Sequence, residues 1–317
     1  MEVLDLVLPI FAVMVTGVIV GHTKILPERT ADILIKFVFY IAIPALLFMV
    51  IGQEKASSLF NPPFLAVLGG GFIAAYAIIL LGAIYWRGWK LGAATMLAAS
   101  CVASNSGFVA LPILHASLGH KAVLPAAIAN IIVVFLFLVT VALLERAQVQ
   151  DSELAEDMWI RVRRTLTNPV ILSTVLGVAY ATTGLGFPVI VVDYLQLLAD
   201  ALTPCALFAI GMSIRFDTLK RSGTAIVFAT FVKLIVMPAL VFGLAWSAGL
   251  SPLLAIAATV AAAVPTAKTT YVLADQYHQE KELVGETISV TTLVSALTLI
   301  VWLIILSHVY PGAFSGR

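Results

Sequence analysis

The sequence predicts an all-α polytopic membrane protein of ten spanning segments, arranged as two inverted sets of five, with the fourth and ninth segments broken near their middles. Composition is the first observation behind this. Of 317 residues, 61% are hydrophobic and only 11% charged, and the mean hydropathy is +1.07. Soluble domains carry about 25% charged residues. Apolar stretches near the length of a bilayer-spanning helix, about 20 residues, recur along the whole chain. The alternating ten-residue pattern of a β-barrel is not seen. Finally, two of the longest stretches carry polar residues and proline at their centres: Ser104-Asn105-Ser106-Gly107-Phe108-Val109-Ala110-Leu111-Pro112 and Val264-Pro265-Thr266-Ala267-Lys268-Thr269-Thr270-Tyr271.

The ten segments run approximately 3–21, 31–51, 63–86, 91–118, 121–145, 168–184, 188–214, 223–247, 251–275 and 284–307. The start, Met1-Glu2-Val3-Leu4-Asp5, has no basic residues ahead of its apolar run and reads as a first span, not a cleaved signal peptide. Segments 4 and 9 are long enough to hold a break. Odd-numbered connections hold Lys24, Arg29, Arg87, Lys90, Arg146, Arg161, Arg163, Arg164, Arg215, Lys220, Arg221 and Lys281, whereas the termini and even-numbered connections hold only Lys55, Lys121 and Arg317. The positive-inside rule then places the odd connections in the cytoplasm and both termini outside the cell inner (plasma) membrane.

The longest connection divides the chain into a first repeat (1–145), a cytoplasmic linker (146–167) and a second repeat (168–317). Within the linker, Met158-Trp159-Ile160-Arg161-Val162-Arg163-Arg164 has the character of an amphipathic surface helix near anionic headgroups. The repeat itself shows as a constant shift. Ile43-Pro44-Ala45-Leu46-Leu47-Phe48 recurs 160 residues later as Thr203-Pro204-Cys205-Ala206-Leu207-Phe208, and the same shift carries Asn105 onto Pro265. Five spans per repeat is an odd number, so the second repeat enters the membrane upside down.

Broken backbone persists in hydrocarbon only where protein or a wet cavity satisfies it, because each unpaired polar group costs several kcal/mol. Paired breaks in two inverted repeats point to a binding site at the midplane. In the first break, Asn105 and Ser106 offer hydrogen bonds, Gly107 allows close approach, and Pro112 removes an N–H. A half-helix starting near Gly107 would present its positive end to an anion. The second break offers Pro265, Thr266 and Thr269 around Lys268.

A charge this central is costly unless paired or wet. Three readings of Lys268 stand side by side: a counter-charge for an anionic substrate, a fixed charge where a coupling cation would otherwise sit, or a structural lysine capping freed carbonyls. Pro44, Pro112, Pro204 and Pro265 are candidate hinges. Counted from the inner ends of their segments at 1.5 Å per residue, Lys233 and Asp200 lie about 15 Å and about 21 Å deep, so an intramembrane Asp200–Lys233 ion pair is expected. Gly69-Gly70-Gly71 reads as a close-packing stretch.

Other chemistries find no support. Cys101 and Cys205 sit in apolar segments as small core residues, and the five histidines have no metal-ligand spacing. No GxxxxGK[ST] loop, catalytic triad or paired carboxylates suggest an ATPase or an intramembrane hydrolase. A net charge of +1 gives no reason to expect a nucleic-acid partner.

At these motifs the sequence resembles the auxin efflux carrier family. Asn105 through Pro112 is similar to the family's helix 4 stretch. Pro265-Thr266-Ala267-Lys268-Thr269-Thr270-Tyr271-Val272-Leu273-Ala274, continuing to Tyr277, is similar to its helix 9 crossover. The Pro44 and Pro204 motifs, the latter with Gly211, and Lys233-Leu234 with Pro238 also match, so the likeness covers essentially the whole chain. The resemblance implies ten helices in two inverted five-helix repeats with helices 4 and 9 crossing, and an elevator-like carrier without a resident cofactor. It points to the compact bacterial permeases, including malonate carriers, and places Asn105 at a ligand position. Many bacterial relatives carry Ser-Asn where this chain has Lys268-Thr269.

The expectation is a secondary active transporter of small organic anions such as malonate. Asn105, Ser106, Gly107, Pro265, Thr266, Lys268 and Thr269 would form the substrate site, H+ or Na+ is the candidate coupling ion, and the oligomeric state is left open, a homodimer included. The rival readings are a cation/proton antiporter, which expects a carboxylate at the crossing, and a non-transporting membrane sensor.

Overall fold

A computed structural model describes residues 2–23, 25–27, 29–53, 61–148, 169–213 and 223–314. Most of the predicted linker, with its basic amphipathic stretch, lies outside the described residues. The described chain is helical throughout: α1 (Glu2–Thr23), α2 (Thr30–Gln53), α3 (Pro62–Arg87), α4 (Leu91–Val102), α5 (Ser106–Leu118), α6 (His120–Ala147), α7 (Pro169–Thr183), α8 (Val189–Met212), α9 (Thr224–Ser247), α10 (Pro252–Ala263), α11 (Thr269–Gln276) and α12 (Lys281–Val309). Among them α2, α3, α6, α8, α9 and α12 are long and apolar enough to cross a membrane. Each expected segment falls on helix, and segments 4 and 9 are interrupted as expected, between α4 and α5 and between α10 and α11.

Local chemistry explains the helix ends and irregularities. At the start of α3, the Asn61 side chain accepts from the Phe64 N–H at 3.0 Å, ahead of Pro62 at the first helical position. The helix ends at Gly88, whose φ of 67° suits a left-handed cap. Three π-turns, Val38–Ala42, Ser106–Ala110 and Val232–Val236, each lie one turn ahead of a proline, at Pro44, Pro112 and Pro238. Proline lacks the N–H that would bond the carbonyl four residues back, so the preceding turn widens.

The carbonyl freed by Pro238 belongs to Leu234, and the indole Nε1–H of buried Trp302 donates to it at 3.0 Å. Trp302→Phe will therefore lower stability by about 1–3 kcal/mol, the cost of an orphaned buried acceptor. Adding Pro238→Ala will recover part of that loss, because the restored N–H bonds back to Leu234. Thermal unfolding of the three variants checks both statements.

The helices pack in two groups. In one, α1 packs on α8 and α2 packs on α7 and α8. In the other, α3 packs on α4 and α9, α9 on α10, and α12 on α9, α10 and α11, with α6 against α4 and α10. The first group is held by glycine contacts. A Cβ on Gly211 would stand 2.0 Å from the Met14 carbonyl oxygen, and one on Gly17 would stand 2.2 Å from that of Phe208. Of the Gly69–Gly71 stretch, Gly71 does face Leu244 and Val241 closely, while a Cβ on Gly70 would meet nothing within 4 Å. Ile73, Ile190, Leu197, Phe231 and Leu297 lie exposed on the outside, where a bilayer supplies the apolar medium.

Candidate functional site: two helix breaks that cross

The two breaks meet. Ser104 and Thr266 form an isolated antiparallel bridge, the one β-type pairing among the described residues. The Asn105 N–H donates to the Pro265 carbonyl at 2.9 Å, and the Ala267 N–H donates to the Ala103 carbonyl at 2.9 Å. Each broken helix thereby satisfies backbone groups that the other leaves open, which is how non-helical chain survives in an apolar interior.

Side chains complete the crossing. The Thr266 hydroxyl donates to the Ser100 carbonyl at 2.7 Å, in the last turn of α4. The Thr266 N–H donates to Thr291 Oγ1 of α12 at 3.2 Å. Thr266 and Pro265 are buried, so both brace the crossing in this arrangement. From α9, Lys233 reaches in and donates to Ser104 Oγ at 2.8 Å and to the Ala262 carbonyl at 2.7 Å.

The expected Asp200–Lys233 ion pair is not formed. Asp200 is exposed and accepts from Gln196 Nε2, one turn earlier on α8, at 2.5 Å. Depth counted along a helix gives no information on which way a side chain faces, and α8 also turns at Ala201, directly after Asp200. The hinge candidates differ as well. Pro112 follows the π-turn that opens α5, Pro44 follows the one in α2, and Pro204 sits exposed just beyond the Ala201 turn.

Beyond the crossing, α5 opens at Ser106. The N–H groups of Gly107 and Phe108 lie in its first turn, where a helix offers no internal acceptor. Ser106 Oγ is buried and has no hydrogen-bond partner. The hydroxyls of Thr95, Ser100, Ser117, Thr230, Thr287 and Thr298 share that state among the described residues; Ser106 differs from them in standing at the start of the half-helix that follows the break. Asn105 is 8% exposed. Asn130 of α6 joins this group: its Oδ1 lies 3.3 Å from where a Cβ on Gly107 would stand, so glycine at 107 keeps that amide close. The sequence reading missed Asn130, although an asparagine inside an apolar 28-residue helix was a signal available to it. Across from these residues the Phe108 ring stacks on Phe39 of α2 at 5.8 Å. Lys268 and Thr269 open α11 and are exposed, and Asp32 of α2 lies within electrostatic reach of Lys268. On the opposite flank, Tyr76, Ala103, Thr140, Thr269 and Thr270 help line a cavity of about 10 Å³, room for about one water.

The arrangement is a half-helix start held open by its crossing with a second broken helix. Comparison with known proteins identifies the family. The family model described as "Membrane transport protein" matches residues 2–303. The chain belongs to that family, the auxin efflux carrier family of the sequence reading. Among individual members it is 28% identical over 304 residues to a protein of Rhizobium meliloti (strain 1021) named "Putative malonate transporter", covering 94% of this chain and 93% of that one. It is 25% identical to an uncharacterized transporter of Methanocaldococcus jannaschii, covering 94% and 97% of the two chains. It is also 24% identical to "Auxin efflux carrier component 8" of Arabidopsis thaliana, covering 90% and 92%. Membership makes this protein a polytopic membrane transporter.

Proposed function

We propose that the protein is a secondary active transporter of small organic anions, malonate or a similar mono- or dicarboxylate, and that the crossed breaks are its substrate site. The observation that carries the reading is the buried, unpartnered Ser106 hydroxyl at the start of α5, beside Asn105 and the first-turn N–H groups, for which a helix has no internal acceptor. Hydroxyl, amide and helix end all favour a carboxylate oxygen. Asn105, Ser106, Gly107 and Asn130 line the seat. Pro265 and Thr266 shape it from the other strand, and Lys268 and Thr269 stand at its exposed rim, where a positive charge draws anions inward.

Packing supports the inverted repeat. Exchanging the first span with the sixth and the second with the seventh turns the α1–α8 contact into the α7–α2 contact, and both are present. The same exchange turns α3–α4 into α9–α10, again both present. In this reading α1, α2, α7 and α8 form a scaffold, and the remaining helices carry the site past it in an elevator-like movement. Phe39 against Phe108 marks the sliding boundary. Both termini face outward in the plasma membrane, and a proton or sodium gradient, or the membrane potential itself, drives the cycle.

A cation/proton antiporter would hold a carboxylate at the crossing. Among the residues whose burial is described no Asp or Glu is buried, and Asp275 is exposed and paired with Lys281 at 2.5 Å. Purified protein in liposomes provides the test. Labelled malonate, offered with a panel of related acids, is taken up saturably, and Lys268→Ala slows uptake several-fold by removing the rim charge, about the size expected of a peripheral charge. No uptake of any acid in the panel sinks the transport reading. Uptake that Lys268→Ala leaves unchanged removes Lys268 from the site.

A further inference from the structure

Lys233 is the one charged side chain that is fully buried among the described residues, at 0% exposure, and it stands at the crossing. Both of its hydrogen-bond partners are neutral: the Ser104 hydroxyl and the Ala262 carbonyl. Ala262 lies in the last turn of α10, so the ammonium also meets the negative end of that helix. Dipoles of this kind solvate a cation but do not neutralise it, and a buried charge without a counter-ion is costly. Lys268 differs in this respect, since it is exposed and has Asp32 nearby.

The open end of the neighbouring half-helix lies close to this lysine's partner. Ser104, which holds the ammonium, is two residues ahead of Ser106, whose hydroxyl has no partner. Two residues of chain span at most about 7 Å. The Ser106 N–H also donates to the Ser104 carbonyl at 2.8 Å, so the two serines share one tight turn, and a carboxylate seated at Ser106 and the start of α5 lies one turn of chain from the serine that Lys233 holds, across an interior that screens charge weakly. The π-turn at Val232–Val236 sets the stretch of α9 that delivers the ammonium there.

We propose that Lys233 is the fixed counter-charge of the transported carboxylate, acting from behind the break through Ser104. This inference rests on the transport reading above and assigns the charge within it. With Lys233 protonated, the empty site carries one uncompensated positive charge, which a singly charged carboxylate neutralises. Neutral analogues of the same shape gain nothing from it, so the site selects for charge before it selects for size. Lys233 does not touch the substrate in this arrangement. It is a positioning and charge-setting residue, while Ser106, Asn105 and the helix end make the contacts.

Full-length wild type, Lys233→Arg and Lys233→Met, purified in one detergent, decide the matter with labelled malonate as probe. Binding affinity and the melting temperature without malonate are measured on each. Lys233→Met is expected to weaken malonate binding by at least about tenfold, with a ligand-free melting temperature equal to or above that of wild type, because a buried unpaired charge has been removed. Lys233→Arg, which keeps the charge in a larger side chain, is expected to retain more malonate affinity than Lys233→Met. Equal malonate affinity in wild type and Lys233→Met overturns the counter-charge role while leaving the transport reading intact. A Lys233→Met protein that melts well below wild type shows a brace and also overturns it. Where Lys233→Met cannot be purified folded, that outcome counts as the brace. A wild type that binds neither malonate nor a related carboxylate overturns the transport reading, and this inference with it.

Discussion

Gly211→Ala will leave a protein that melts far below wild type. The added methyl would stand 2.0 Å from the Met14 carbonyl oxygen and 3.0 Å from the Val18 nitrogen, both backbone atoms that no rotamer change can move aside. The α1–α8 crossing must open, and the approach of Gly17 to the Phe208 carbonyl opens with it, because both glycines hold the same pair of helices. Overpacking of this kind costs about 1–3 kcal/mol, and the backbone character of the clash places it at the upper end. Small residues let membrane helices approach closely, and the van der Waals attraction between the closely packed backbones is a main source of their association. Gly70→Ala is the matched control. It lies in a helix of the second group with nothing within 4 Å of the new methyl, and its melting temperature should match wild type. Thermal stability by size-exclusion chromatography reads both variants. Equal melting of Gly211→Ala and wild type would show that the α1–α8 crossing is looser than described.

Thr266→Val should damage the crossing without changing the shape of the residue. Valine keeps the volume but deletes the hydroxyl that donates to the Ser100 carbonyl at 2.7 Å. That carbonyl sits in the last turn of α4, where the helix itself supplies no partner, and Thr266 is fully buried, so water cannot replace the donor. The orphaned acceptor costs about 1–3 kcal/mol. The effect should reach function as well as stability, because the same short stretch positions Pro265 to accept from Asn105. Thr266→Ser retains the donor and should stay close to wild type in both melting temperature and malonate uptake. If Thr266→Val and Thr266→Ser behave alike, the hydroxyl is not what holds the breaks together.

Much of this architecture is legible in the chain itself. Hydropathy located the helices, and the observed ends of α3, Pro62–Arg87, differ by one residue from the expected 63–86. The two breaks announced themselves because polar residues and proline inside a membrane-length apolar run violate a strong physical rule. What could not be read is direction around a helix. Lys233 was assigned to Asp200 because opposite charges at similar depth are the natural pairing, yet its partners are a serine 129 residues away and a backbone carbonyl. Neutral oxygens leave no pattern in a sequence. The close glycines fared similarly. Gly69-Gly70-Gly71 drew attention as a run, while Gly17 and Gly211, where the helices come closest, are isolated residues. The π-turns ahead of Pro44, Pro112 and Pro238 follow from proline chemistry, but their consequence at Lys233 depends on how α9 lies against α4 and α10.

Ser106→Ala offers the most direct check that the crossed breaks seat the substrate. Its hydroxyl has no partner in the folded protein, so removing it should leave the melting temperature unchanged or slightly raised. With Asn105→Ala beside it, labelled-malonate binding to purified protein is the measurement. A loss of at least about tenfold in affinity for Ser106→Ala, at unchanged ligand-free stability, is the result predicted for a hydroxyl that waits for a ligand. Malonate binding of wild-type strength in both Ser106→Ala and Asn105→Ala would contradict the placement of the site at the crossing.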